Sequence, residues 1–198
     1  MKSILTPTQI KKSIVKITCD EEQGTGFLIA ESLIITAYHV VPAPAPINII
    51  LFDNEEVSGE LISHDVNFDI AIIKIEKQCE EFLPIQARTI RFNENWETNG
   101  FPYIGQANDL RIVGNVNQIQ INDRSDFILN SEDIERDFDY SGFSGAPVVL
   151  SNKVGGIILQ QEDNKLLAIS IAKINKYLLD NNIEVEEENN ILDIPQEF

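Results

Sequence analysis

The strongest constraint on this chain is a run of short apolar segments packed closely along it. Between Ser13 and Glu76 the sequence reads SIVKIT, FLIA, LIIT, INIILFD, EEVSGELISHD and FDIAIIKIE. Each is rich in β-branched or alternating residues and each is bounded by turn residues, the pattern of short strands. Glu31–Ser32 leaves a tight turn between FLIA and LIIT. Six strands with almost no helix between them point to an antiparallel barrel or sandwich.

The signal weakens from Phe82 to Glu97 and then returns. Strands are expected near Trp96 and at RIVGNVNQIQI, DFILN, APVVL, GGIILQ and KLLAISIA, about six again. Thr6–Pro7 sets a capping hydroxyl before a proline at the first helical position, which predicts a short helix to about Lys12. INKYLLDNN has helical spacing, with Ile174, Tyr177 and Leu178 on one face. The expected organisation is an N-terminal arm over 1–12 and a first β-lobe over 13–83. A crossing over 84–97, a second β-lobe over 98–172, a helix over 173–182 and an acidic tail or linker over 183–198 follow. Pro42, Pro44 and Pro46 make a stiff surface loop directly after His39.

Length allows one domain or two small lobes, since the chain has 198 residues. Lys and Arg number 15 against 32 Asp and Glu, a formal charge of −17. That excludes nucleic acid or an anionic membrane as the main partner, because both require a positive face. The last residues, Leu178 to Phe198, carry seven acids and no Lys or Arg, the composition of a solvated end or a linker. Cys19 and Cys79 are too few for a disulfide framework. The opening MKSILTPTQIKKS has no apolar stretch of signal-peptide length, and no run approaches the roughly 18 residues of a membrane span. The expected location is the cytoplasm.

Three segments hold residue types suited to nucleophilic acyl transfer. TAYHV ends a hydrophobic strand with His39, and an imidazole shuttles protons near neutral pH. Asp69 precedes the apolar run IAIIKI, at a core edge where a carboxylate needs a partner such as an imidazole N–H. Asp65, in the turn-like HDVN segment, is the second choice, and His64 beside it reads as a surface-turn histidine. SGFSGAPVV places Ser144 between Gly142 and Gly145. Glycines on both sides permit a tight loop that presents a hydroxyl and turns backbone N–H groups toward a developing oxyanion. No cluster has metal-ligand spacing, and no cofactor is expected.

Together these residues resemble the trypsin-like serine peptidases, and among them the compact bacterial branch of the high-temperature-requirement proteases. The matching motifs are GTGFLI with TAYHV, DIAII, GFP at Gly100–Pro102, GNV at Gly114, SGFSGAPVV, GGIIL and LLAISIAKI. The resemblance covers roughly residues 13–176. It implies an all-β fold of two six-stranded antiparallel barrels with the site in the cleft between them. Ser144 would be the nucleophile, His39 the general base and then acid, and Asp69 the group that orients the imidazole. The N–H groups of Gly142 and Ser144 would form the oxyanion hole. By loop position, Phe138, Leu159 and Ala168 would line the specificity pocket and favour a small or medium apolar residue before the cut. Asp137 or Asp139, in the acidic SEDIERDFDY segment, would select Arg or Lys if either reached that pocket.

There are departures from the family pattern. Phe143 stands where Asp or Asn is usual, which rules out activation through pairing of that Asp with a new N-terminus and casts doubt on activity at rest. Ala146 replaces a glycine, and Tyr38 replaces a small residue beside the base. The expected function is cleavage of a protein or peptide substrate, as a module of a regulated bacterial signalling or defence system with a regulatory domain or partner. The alternative is a catalytically silent peptide-binding or scaffold module.

Overall fold

The computed structural model describes residues 5–42, 44–103, 109–119, 124–134 and 139–188. Helix α1 (Pro7–Ser13) begins as the sequence dictates. The Thr6 hydroxyl accepts from the Gln9 N–H at 3.2 Å, and the Gln9 side chain accepts from the Thr6 N–H at 3.0 Å. This reciprocal cap satisfies two otherwise orphaned donors.

The first barrel follows: β1 (Ile14–Cys19), β2 (Glu22–Ala30), β3 (Leu33–Ala37), β4 (Ile47–Ile50), β5 (Glu56–Asp65) and β6 (Ile70–Ile75). It closes in the order β1-β2-β3-β6-β5-β4. β7 (Gln86–Ala87) lies on the way to the second barrel, built from β8 (Asn95–Gly100), β9 (Leu110–Ile119), β10 (Phe127–Asn130), β11 (Pro147–Leu150), β12 (Lys153–Glu162) and β13 (Lys165–Ser170). That one closes in the order β10-β13-β12-β11-β8-β9. Both expected six-stranded antiparallel barrels are therefore present, and closure leaves neither sheet with a bare edge.

Helix α2 (Ile171–Asp180) starts where the Ser170 hydroxyl accepts from the Lys173 N–H at 3.1 Å. It buries Ile171, Ile174 and Leu178. The Tyr177 hydroxyl reaches Ser63 Oγ in β5 at 3.0 Å, so the helix returns from the second barrel to brace the first. The core around Phe27, Ile35 and Ile72 runs on without a break into Val154, Ile157 and Ile169 of the second barrel. A separate cluster around Trp96, Phe127 and Phe143 fills the second barrel itself.

The acidic stretch after α2 is not simply solvated. Ile183 is buried, and β14 (Glu186–Glu187) pairs in parallel with β7. Lys153 Nζ meets Glu186 at 2.7 Å, while Glu188 accepts from the Thr89 N–H at 3.0 Å and from Arg91 at 2.8 Å. These partners hold the Glu188 carboxyl below its usual range, the Thr89 amide first and Arg91 second. The rest of the expected tail, 189–198, lies outside the described residues.

Candidate active site

Strands β3 and β6 are antiparallel neighbours with Ala37 opposite Ile70, which brings the residues just beyond each end together. After Ala37 the chain makes a single 3₁₀ turn, Tyr38–Val40, and this carries His39. Asp69, just before β6, has φ 58°, a left-handed conformation that Asp tolerates better than most residues. In that conformation it serves the turn three times. Its carbonyl accepts from the Tyr38 N–H at 2.9 Å, its Oδ1 from the His39 N–H at 2.9 Å, and its Oδ2 lies 2.6 Å from His39 Nδ1. A carboxylate only accepts, so Nδ1 carries the proton and Nε2 keeps its lone pair for a substrate-side proton. Asp65 is occupied elsewhere, accepting from the N–H groups of Asn67 and Phe68 at 2.8 and 3.0 Å. His64 is in β5 rather than a turn, and it stacks on Tyr38 with ring centroids 4.2 Å apart and planes 10° from parallel.

Ser144 follows a second 3₁₀ turn, Ser141–Phe143. Gly145 has φ +88°, and a Cβ there would lie 2.1 Å from the Thr25 carbonyl oxygen. A Cβ on Gly142 would lie 1.8 Å from the Phe101 carbonyl oxygen. Neither position admits a larger residue without moving backbone. Phe143 is fully buried and packs edge-on against Tyr140 at 5.8 Å. The residue that departs from the family pattern is therefore a core anchor of the second barrel. Ser144 is 5% exposed, and its Oγ donates to the Leu159 carbonyl at 2.9 Å. Its N–H donates to the Ser141 carbonyl at 3.2 Å. Among the described residues, Ser144 Oγ has no hydrogen bond to His39. At rest, then, both Ser144 groups that the chemistry requires are satisfied locally.

His39, Asp69 and Ser144 line one cleft of about 800 Å³ with Tyr38, Val66, Arg124, Asp139, Ser141, Leu159, Gln160, Gln161 and Asp163. Leu159, expected in the specificity pocket, is one of these lining residues. Ala168 is buried in the core of the second barrel, opposite Phe127 and Ile158, and its neighbour Leu167 lines the adjoining hollow. Phe138 and Asp137 lie outside the described residues. Asp139 reaches the cleft wall, with Oδ1 accepting from the Ser141 N–H at 2.8 Å. Among the described residues, no group of three or more His, Cys, Asp or Glu could hold a metal ion. Sequence reasoning missed the Leu159 carbonyl and Thr25, whose position between two glycines was the one available signal.

A family model described as the trypsin-like peptidase domain matches residues 24–158. The chain belongs to that family. Two curated relatives are named probable periplasmic serine endoproteases, DegP-like. The one from Rickettsia conorii is 38% identical over 90 residues, 45% of this chain and 14% of that protein. The one from Chlamydia trachomatis is 29% identical over 140 residues, 67% of this chain and 27% of that protein. The chain therefore spans about a quarter or less of the relatives it matches. Among solved structures, the Rv3671c protease from M. tuberculosis in its active form superposes with TM-score 0.73 at 17% identity, over 90% of this chain and 85% of that one. The serine endoprotease from Yersinia pestis gives 0.72 at 18% identity, over 92% and 68%. These structures establish the shared peptidase fold.

The relatives' names overturn the cytoplasmic expectation, since all four are described as periplasmic. Cysteine count was a poor guide for a physical reason. Two filled barrels need no disulfide staple, and both thiols are free. Burial pushes the Cys19 thiol up, with Asp20 and Glu22 adding to it, and burial likewise raises Cys79. No helix among the described residues is long and apolar enough to cross a membrane.

Proposed function

We propose that the chain is the catalytic module of a serine endopeptidase that cuts protein substrates through Ser144, His39 and Asp69. The observation that carries this reading is the His39–Asp69 pair, held by both carboxylate oxygens beside the buried Ser144. In the reaction, Ser144 Oγ bonds to the substrate carbonyl carbon as its proton passes to His39 Nε2. The carbonyl oxygen becomes an oxyanion that the N–H groups of Gly142 and Ser144 receive. Collapse breaks the C–N bond, and the departing amine takes the proton from Nε2. Water then repeats the cycle on the acyl-enzyme. Two local rotations come first: Ser144 Oγ leaves the Leu159 carbonyl, and the Ser141 carbonyl leaves the Ser144 N–H. Substrate binding supplies the free energy for them. Its working place is the periplasm, as the relatives' names state of them.

The resting engagement of Ser144 also favours a second reading, a peptide-binding module without turnover. A fluorophosphonate probe, applied to the parent, Ser144→Ala and His39→Ala, separates the two. The catalytic reading expects labelled parent, unlabelled Ser144→Ala, and His39→Ala slower by about 100-fold or more. A parent that stays unlabelled, alone and with an unfolded protein substrate present, leaves only the binding module.

A further inference from the structure

We propose that the Thr25 hydroxyl is a positioning group for the nucleophile loop, holding from the first barrel the frame on which the oxyanion donors turn. This rests on the triad reading above. Thr25 lies in β2 and is fully buried. Its hydroxyl donates to the Gly142 carbonyl at 2.7 Å and accepts from the Phe101 N–H at 2.9 Å. Its own N–H donates to the Ser144 carbonyl at 2.9 Å. Its carbonyl accepts from the Thr36 hydroxyl at 2.7 Å. One residue of the first barrel thus grips the carbonyls on both sides of Phe143, on the two residues whose N–H groups would bind the oxyanion.

The peptide unit that must rotate is a different one. The Ser141 carbonyl belongs to the Ser141–Gly142 unit, whereas Thr25 holds the carbonyls of the Gly142–Phe143 and Ser144–Gly145 units. The frame therefore stays fixed while one unit turns to free the Ser144 N–H and present that of Gly142. Without the hydroxyl, the buried Gly142 carbonyl and Phe101 N–H both lose a partner, and reaching a substitute would move Gly142 itself. The cost falls on forming the transition state more than on holding substrate, so it belongs in kcat rather than KM.

The test compares Thr25→Val, which keeps the shape, with Thr25→Ser, which keeps the hydroxyl. Thr98→Val removes a fully buried hydroxyl elsewhere in the second barrel as a control. Thr25→Val is expected to react with the fluorophosphonate probe at least about tenfold more slowly, and with a peptide substrate to lose kcat and not KM. Amide exchange in the segment 140–146 should quicken in this variant alone. Thr25→Ser should return to near the parent rate, and Thr98→Val should leave the rate unchanged. Parent-like labelling and exchange in Thr25→Val, or equal impairment of Thr25→Ser, overturns the proposal. If valine at 25 prevents folding, Thr25→Ala gives the same comparison. A parent that does not label at all overturns the triad reading, and the exchange comparison then decides Thr25 alone.

Discussion

Phe143 is the residue whose meaning changes most between sequence and fold. Beside the nucleophile it reads as an obstacle, yet its ring is fully buried with Tyr140 and lies against Gly100, where a Cβ would come within 2.6 Å of the ring. Phe143→Ala should therefore cost about 3–5 kcal/mol in urea unfolding and loosen the loop that carries Ser144. Retained stability would mean that the loop is held by its hydrogen bonds alone. That His39, Asp69 and Ser144 share one cleft was legible as a candidate site because their side chains need special surroundings: a strand end, a core edge, a pair of glycines. Leu159 was legible only as a lining residue, since what it offers Ser144 is a backbone carbonyl, which every residue has. Ala168, expected in the pocket by loop position, lies in β13 opposite Phe127 and Ile158, and its neighbour Leu167 lines the adjoining hollow.

At the scale of elements, α2 was legible from its spacing, but its use as a brace was not. The Tyr177–Ser63 bond joins residues 114 apart in sequence, and no local pattern reports such a pair. Burial raises the Tyr177 phenol above its ordinary range, although the Ser63 contact opposes this. The sign follows directly. The folded protein holds that proton more tightly than the unfolded chain, so the contribution is complete below about pH 10. It is lost as pH climbs through the raised value. Tyr177→Phe should lower stability by about 1 kcal/mol at neutral pH and flatten part of the alkaline decline. Urea midpoints at neutral pH and above pH 10 check both effects; an unchanged alkaline decline would assign it to other groups. β14 was unreadable for the same reason as the brace. Its register lies with β7, about a hundred residues earlier, and Glu186 and the following Glu188 read as solvent-facing until Lys153 and Arg91 are placed beside them.

The whole molecule carries a formal charge of −17 on 198 residues. Most ion pairs among the described residues have at least one exposed partner, as at Lys77 with Asp53 and Arg111 with Glu97, and such pairs contribute about 0–1 kcal/mol each. Self-repulsion should outweigh them. Raising salt to roughly 0.3 M, which screens charges beyond about a Debye length, should raise the melting temperature. A melting temperature that falls with salt would mean the ion pairs dominate. The two-barrel architecture was legible at this scale because strand periodicity repeats twelve times, while the compartment was not, because two free cysteines suit a barrel pair in any of them. The grip of Thr25 on the loop around Phe143 has a last consequence. On the proposed reading, Ser144 is carried by one barrel and latched by the other, so cohesion of the halves and readiness of the site are one quantity. A molecule that wedges the seam open should then silence Ser144 without touching the cleft, and a reagent bonded to Ser144 should act as glue across the seam.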